Sequence, residues 1–151
     1  MIKILFVCHG NICRRPMAEF ILRSLAERSG IADNLEIASA ATSTEEIGYP
    51  VYPPARRKLS EHGIDCRGKT ARQMTKADYA YYDYIIAMDG YNLRNMKRFV
   101  GEDPDKKVSQ LMDFTSRRGD VADPWYTGDF DTAWNDIYEG CLGIIDRLKK
   151  H

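Results

Sequence analysis

Cys8 and Arg14 are separated by five residues, His9-Gly10-Asn11-Ile12-Cys13, and Pro16 follows Arg14 by two positions. The run before Cys8, Ile2-Lys3-Ile4-Leu5-Phe6-Val7, is apolar and mostly β-branched, which predicts a strand buried on both faces. Pro16 is suited to open a helix, because its φ is already helical and its missing N–H has no intrahelical acceptor to lose. Strand, tight loop and helix start in that order form an anion cradle. A helix N-terminus presents unpaired N–H groups and the positive end of the macrodipole. A loop curled over that end aims further amides at one point. Gly10 and Asn11 tolerate the left-handed backbone such a curl requires. Arg14 supplies a planar fork for two phosphate oxygens. Cys8 lies beneath, in a field that favours thiolate, so a depressed pKa is expected. A thiolate under a bound phosphoryl group is placed for in-line attack. Most cysteines at strand ends are small buried hydrophobes, and a bare Cys-x5-Arg arises readily by chance. The setting between a buried strand and a proline-started helix is what favours the phosphate loop.

These residues need elements to hold them. Met17, Phe20, Ile21, Leu25 and Ala26 share one face of the helix opened by Pro16, and Gly30 ends it. Leu35 to Ala40 predicts a second strand, parallel to the first by the right-handed crossover rule. A long irregular stretch runs from Thr42 to Pro54. A helix over Ala55 to His62 is stopped by Gly63, and a short one covers Thr75 to Tyr82. Tyr84 to Met88 reads as a third buried strand, followed by a helix over Asn92 to Arg98. Val108 to Phe114 holds a short fourth strand. Phe130, Ala133, Trp134, Ile137, Cys141, Ile144, Ile145 and Leu148 form one apolar stripe of a final helix. The alternation predicts an α/β fold: a small doubly wound, flavodoxin-like, four-stranded parallel sheet with helices on both faces, as a single domain over residues 1–151. Ligands of such a sheet bind at the carboxyl ends of the strands, where Cys8 falls.

Composition narrows the partners. Lys and Arg number 22, as do Asp and Glu, so the balanced charge gives no electrostatic case for nucleic acid or an anionic membrane. No apolar run is long enough for a signal peptide or a membrane span. Four cysteines are too few for a disulfide scaffold and lack zinc-knuckle spacing. We expect free thiols in a reducing cytoplasm. The three histidines, His9, His62 and His151, are scattered, so no metal or cofactor is called for. A monomer is the default.

Read in order, Val7-Cys8-His9-Gly10-Asn11-Ile12-Cys13-Arg14 with Pro16-Met17-Ala18-Glu19 resembles the low-molecular-weight protein tyrosine phosphatase family. The resemblance continues through Ser39 to Ser43, His62 to Asp65, Ala71-Arg72-Gln73, Asp83 to Asp89 and Asn92-Leu93. It closes on Asp123-Pro124-Trp125-Tyr126. It implies a nucleophile at Cys8, a phosphate-binding arginine at Arg14 and a general acid at Asp123. It also implies tyrosine-phosphorylated proteins or aryl phosphates as substrates and inorganic phosphate as product, through a phosphocysteine. His9, Gly10, Asn11, Ile12 and Cys13 would bind the phosphate as loop residues. The chemistry agrees with the resemblance. A phenolate has a conjugate acid of pKa ~10, so a proton donor helps it leave. Pro124 biases Asp123 toward extended backbone on a loop. Trp125 and Tyr126 are suited to one wall of an aromatic slot, and Tyr49 resembles the opposite wall by position. Cys8 and Cys13 share one tight loop, which predicts a reversible disulfide under peroxide.

Two positions depart from the family pattern. Arg15 stands where a serine is usual, and Lys69 stands near a usual histidine. Both touch the loop's support and leave Cys8, Arg14 and Asp123 in place. Two alternatives remain at this point. An arsenate reductase of the same fold would need relay thiols, yet Tyr82 to Asp89 contains no cysteine, and Cys66 and Cys141 lie elsewhere. A phosphate-binding module impaired by Arg15 is the other.

Overall fold

The computed structural model describes residues 1–8, 14–44, 47–66, 68, 71–117, 119–122 and 128–149, and of Arg15 the backbone alone. Strand β1 (Ile2–Cys8) is central, and Ile4 through Cys8 are fully buried. Alternate residues point to opposite faces. Ile4, Phe6 and Cys8 enter the larger core, and Leu5 and Val7 enter the smaller one. β1 pairs in parallel with β2 (Leu35–Ala41) on one side and with β3 (Tyr84–Ala87) on the other, so Val7 lies between Ala40 and Ala87. β4 (Val108–Gln110) adds to β3, giving the order β2-β1-β3-β4 with every pair parallel.

Helices α1 (Arg14–Arg28), α2 (Pro53–Glu61) and α5 (Phe130–Lys149) cover the larger core. Helices α3 (Lys76–Tyr81) and α4 (Gly90–Val100) cover the smaller. The predicted four-stranded parallel α/β sheet, with helices on both faces, is the observed one.

Details of the elements differ from expectation for local reasons. α1 begins at Arg14, not Pro16, so the proline sits inside the first turn, where no intrahelical acceptor is lost. The helix does close at Gly30. Gly30 has φ +74°, and Gly30 N–H bonds Glu27 O while Ile31 N–H bonds Ala26 O, the paired bonds of a Schellman end. α2 starts at Pro53, two residues before the predicted start, and Gly63 closes it in the same way at φ +75°. Only Val108–Gln110 of the fourth apolar run is strand. Leu111–Phe114 turns into one 3-10 turn, because the Asp113 carboxylate accepts from Gln110 N–H and draws the chain round. The stripe on α5 is buried as predicted, from Ala133 and Trp134 to Ile144 and Ile145.

Candidate active site

Arg14 is the point where the carboxyl edge of the sheet comes together. Cys8 ends β1 with no exposed surface, and its carbonyl accepts from Thr42 N–H at 2.9 Å, just past the end of β2. Six positions on, Arg14 opens α1 and is itself buried. Its Nη1 donates to Asp89 Oδ2 at 3.0 Å and to the Val121 carbonyl at 3.0 Å. Asp89 stands between β3 and α4 and caps that helix, its Oδ1 accepting from Asn92 N–H at 2.8 Å. Val121 is fixed from its other side, its N–H bonding Met88 O at 2.9 Å. The next residue, Ala122, donates its N–H to Asp136 Oδ2 of α5 at 3.1 Å. One guanidinium therefore joins the helix start after Cys8, the β3–α4 junction and the segment entering Asp123.

Of the predicted site residues, Cys8, Arg14 and Tyr49 are described. His9, Gly10, Asn11, Ile12, Cys13, Asp123, Trp125 and Tyr126 lie outside the described residues, as does Lys69. Cys8 and Arg14 fall on the predicted edge of the sheet. Tyr49 is 56% exposed, and its carbonyl accepts from Ala71 N–H at 2.9 Å.

Three supporting residues escaped the sequence reading. Asp89 had a local signal, since an Asp three residues before Asn92 is a helix cap, but its second oxygen meets Arg14 from 75 positions away. Asp136 interrupts an apolar helix face and is nonetheless buried, paired to Arg117 Nη2 at 2.8 Å. Glu19 is buried on α1, accepts from Ser39 Oγ at 2.6 Å and pairs with Arg23 at 2.9 Å, which fixes α1 to β2. A buried carboxylate in an apolar stripe is the signal for both acids.

The remaining described thiols are unsuited to attack. Burial pushes the Cys141 thiol far up, and its Sγ lies 3.7 Å from Ala18 O as a donor. Burial likewise raises Cys66. His62 stacks on Trp134 at 3.9 Å between ring centroids. Among the described residues no three His, Cys, Asp or Glu are placed to share a metal ion, and no helix is long and apolar enough to cross a membrane.

The four-stranded parallel sheet with its arginine-started first helix is the fold of the low molecular weight phosphatases. The crystal structure of YfkJ from Bacillus subtilis superposes with a TM-score of 0.95 at 37% identity, covering 99% of this chain and 96% of that one. The low molecular weight protein tyrosine phosphatase from Streptococcus pyogenes does so with a TM-score of 0.86 at 38% identity, over 98% and 93% of the two chains. In sequence, the Homo sapiens low molecular weight phosphotyrosine protein phosphatase is 37% identical over 150 residues, 96% of this chain and 94% of its own. The profile of the low molecular weight phosphotyrosine protein phosphatases matches residues 3–151. The chain belongs to that family, and it is a protein-tyrosine-phosphatase.

Proposed function

We propose that Cys8, Arg14 and Asp123 divide the phosphatase reaction among them, on phosphotyrosine in proteins and on aryl phosphates. Cys8 thiolate attacks phosphorus, forming an S–P bond as the P–O bond to the phenol breaks. Arg14 and the amides of residues 9–13 hold the equatorial oxygens, whose charge they stabilise through the transition state. Asp123 gives its proton to the departing phenolate. Water then attacks the phosphocysteine, Asp123 takes a proton from it, and S–P cleavage releases inorganic phosphate and restores the thiolate. Trp125 and Tyr126, with Tyr49 opposite, wall the slot for the ring. Each of these steps is supplied by side chains and loop amides of this chain, acting as a single-domain monomer in a reducing cytoplasm.

The observation that carries this reading is the placement of buried Arg14, which bonds Val121 two residues before Asp123 and starts the helix six residues after Cys8. Turnover of aryl phosphates with graded leaving groups tests it. Cys8→Ser abolishes turnover while phosphate analogues still bind. Asp123→Asn slows poor leaving groups by ~10²–10⁴-fold and good ones far less. Retained activity in Cys8→Ser, or an equal loss across leaving groups in Asp123→Asn, contradicts the assignment. Cys13 adds a redox partner. Mild peroxide yields a Cys8–Cys13 disulfide reversible by dithiothreitol, and peptide mapping that finds Cys8 as sulfonic acid with Cys13 reduced refutes the pairing.

A further inference from the structure

A cavity of about 410 Å³ opens beside the carboxyl end of β2, and its described lining includes neither Cys8 nor Arg14. Thr42, Ser43 and Thr44 form one wall, and Arg94, Asn95 and Arg98 of α4 form the other, with Gln73 between them. Arg94 and Arg98 stand four residues apart, on one face of the helix, where like charges repel. Neither guanidinium forms an ion pair among the described residues, and the described lining holds no carboxylate. Each rests near an aromatic ring instead, Arg94 at 5.9 Å from the Tyr91 centroid and Arg98 at 4.8 Å from that of Phe99. A second observation points the same way. Asn95 Nδ2 is buried and has no hydrogen-bond partner among the described residues. A buried amide donor left without an acceptor is costly unless something from outside supplies one.

Two cations, a stranded donor and three hydroxyl side chains, with no acid among the described lining residues, are the complement of an oxyanion. We propose that this cavity is a second oxyanion site, taking a phosphoryl group as free phosphate or as an ester. Arg94 and Arg98 supply the charge and Asn95 Nδ2 supplies a directed hydrogen bond. The site adjoins the nucleophile through one residue. Thr42 N–H bonds the Cys8 carbonyl, while the Thr42 carbonyl accepts from Gln73 Nε2 at 3.2 Å and from Arg98 Nη2. An anion that draws Arg98 toward itself therefore changes a bond on the residue that holds the end of β1.

Titration of the full chain with inorganic phosphate, followed by amide and side-chain NMR, tests the proposal. Two binding events are expected. One moves the resonances of residues 8–15. The other, with its own dissociation constant, moves the Asn95 side-chain amide and the Arg94 and Arg98 Nε–H. Arg94→Ala and Asn95→Asp each weaken the second event about tenfold or more and leave the first intact, while Arg94→Lys keeps part of it. Dispersed spectra of the variants show that they are folded. Peptides with a single phosphotyrosine or with an added phosphoserine separate the two sources. A lower KM for the doubly phosphorylated peptide, erased by Arg94→Ala, identifies an ester ligand; equal KM values with a saturable second phosphate event identify free phosphate. Asn95 and Arg94 signals that stay still, or that follow the first event with its constant, or Arg94 and Arg98 shifts that are unweakened in Asn95→Asp, overturn the proposal.

Discussion

Arg14 is held from two sides by groups that sequence distance gives no reason to pair, and this makes Asp89 a control over how Arg14 is oriented. The Asp89 carboxylate divides its oxygens, one on Arg14 and one on the first turn of α4. Asp89→Ala removes a helix cap, worth about 1 kcal/mol, and takes a carboxylate away from a buried guanidinium, which costs more. At a total of about 3 kcal/mol, the melting temperature falls by roughly 6–12 °C. The rate falls as well, by about 10²-fold in kcat/KM, because Arg14 loses its fixed orientation. Asp89→Asn keeps one acceptor, enough for the Asn92 N–H cap but not for Arg14 as well, so it recovers the smaller, capping share of the melting temperature and little of the rate. Melting curves beside aryl phosphate kinetics separate the two effects. Arg15 is the other residue with a clear expectation. A serine there would donate to the Cys8 thiolate, one hydrogen bond to a charged group, worth about 1.5–3 kcal/mol. Arg15→Ser is expected to raise kcat by about tenfold or more and to weaken inhibition by phosphate. Unchanged kcat and unchanged Cys8 alkylation rates near neutral pH would mean that another donor already serves the thiolate.

Elements matter here through their junctions, and junctions are where the sequence was hardest to read. Cys8 and Arg14 were legible because strand, loop and helix start are contiguous, so local rules sufficed. The β1 and β3 runs were legible because their centres, Ile4 to Val7 and Ile85 to Ala87, are buried and continuously apolar, whereas β2, with Glu36 and Ser39, was legible from its place after the crossover helix. The fourth run held the short strand expected within it, but the strand's end was hidden, because Leu111 and Met112 are as apolar as a strand and are buried by a 3-10 turn instead. Asp89 and Asp136 were missed as supports because their partners lie on other elements. Asp136 shows what such a junction contributes. Its carboxylate fixes Ala122 N–H to α5 one residue before Asp123, and Arg117 holds that carboxylate from outside. Asp136 thus holds the chain one residue before Asp123, the general acid of the proposed reaction. Asp136→Ala is expected to cut kcat about tenfold for poor leaving groups and hardly at all for good ones, while Asp136→Asn, which keeps an acceptor for Ala122, stays near the parent. A loss independent of leaving group would make Asp136 only a fold determinant.

At the scale of the whole molecule, the distance between α5 and the turn after β4 bears on where Asp136 holds Ala122. α5 reaches this close only because two of its residues have no side chain. A Cβ at Gly143 would stand 2.0 Å from the Phe114 carbonyl oxygen, and one at Gly140 would stand 2.5 Å from Leu111 Cγ. Alanine ordinarily stabilises a helix interior by about 1 kcal/mol over glycine. Here the gain is exceeded, because overpacking a close contact costs about 1–3 kcal/mol and backbone cannot rotate out of the way. Gly143→Ala is therefore expected to lower the melting temperature despite its better helix propensity. Gly140→Ala should lower it less, since the Leu111 side chain can change rotamer while the Phe114 carbonyl cannot. The same displacement carries Asp136 away from Ala122, so Gly143→Ala should also reproduce, in weaker form, the leaving-group dependence of Asp136→Ala. Thermal melts and graded aryl phosphates on the two alanine variants measure both effects. A Gly143→Ala protein that melts higher than the parent would show that α5 and the Phe114 turn are not in contact, and with it the route from this helix to the acid segment would fall.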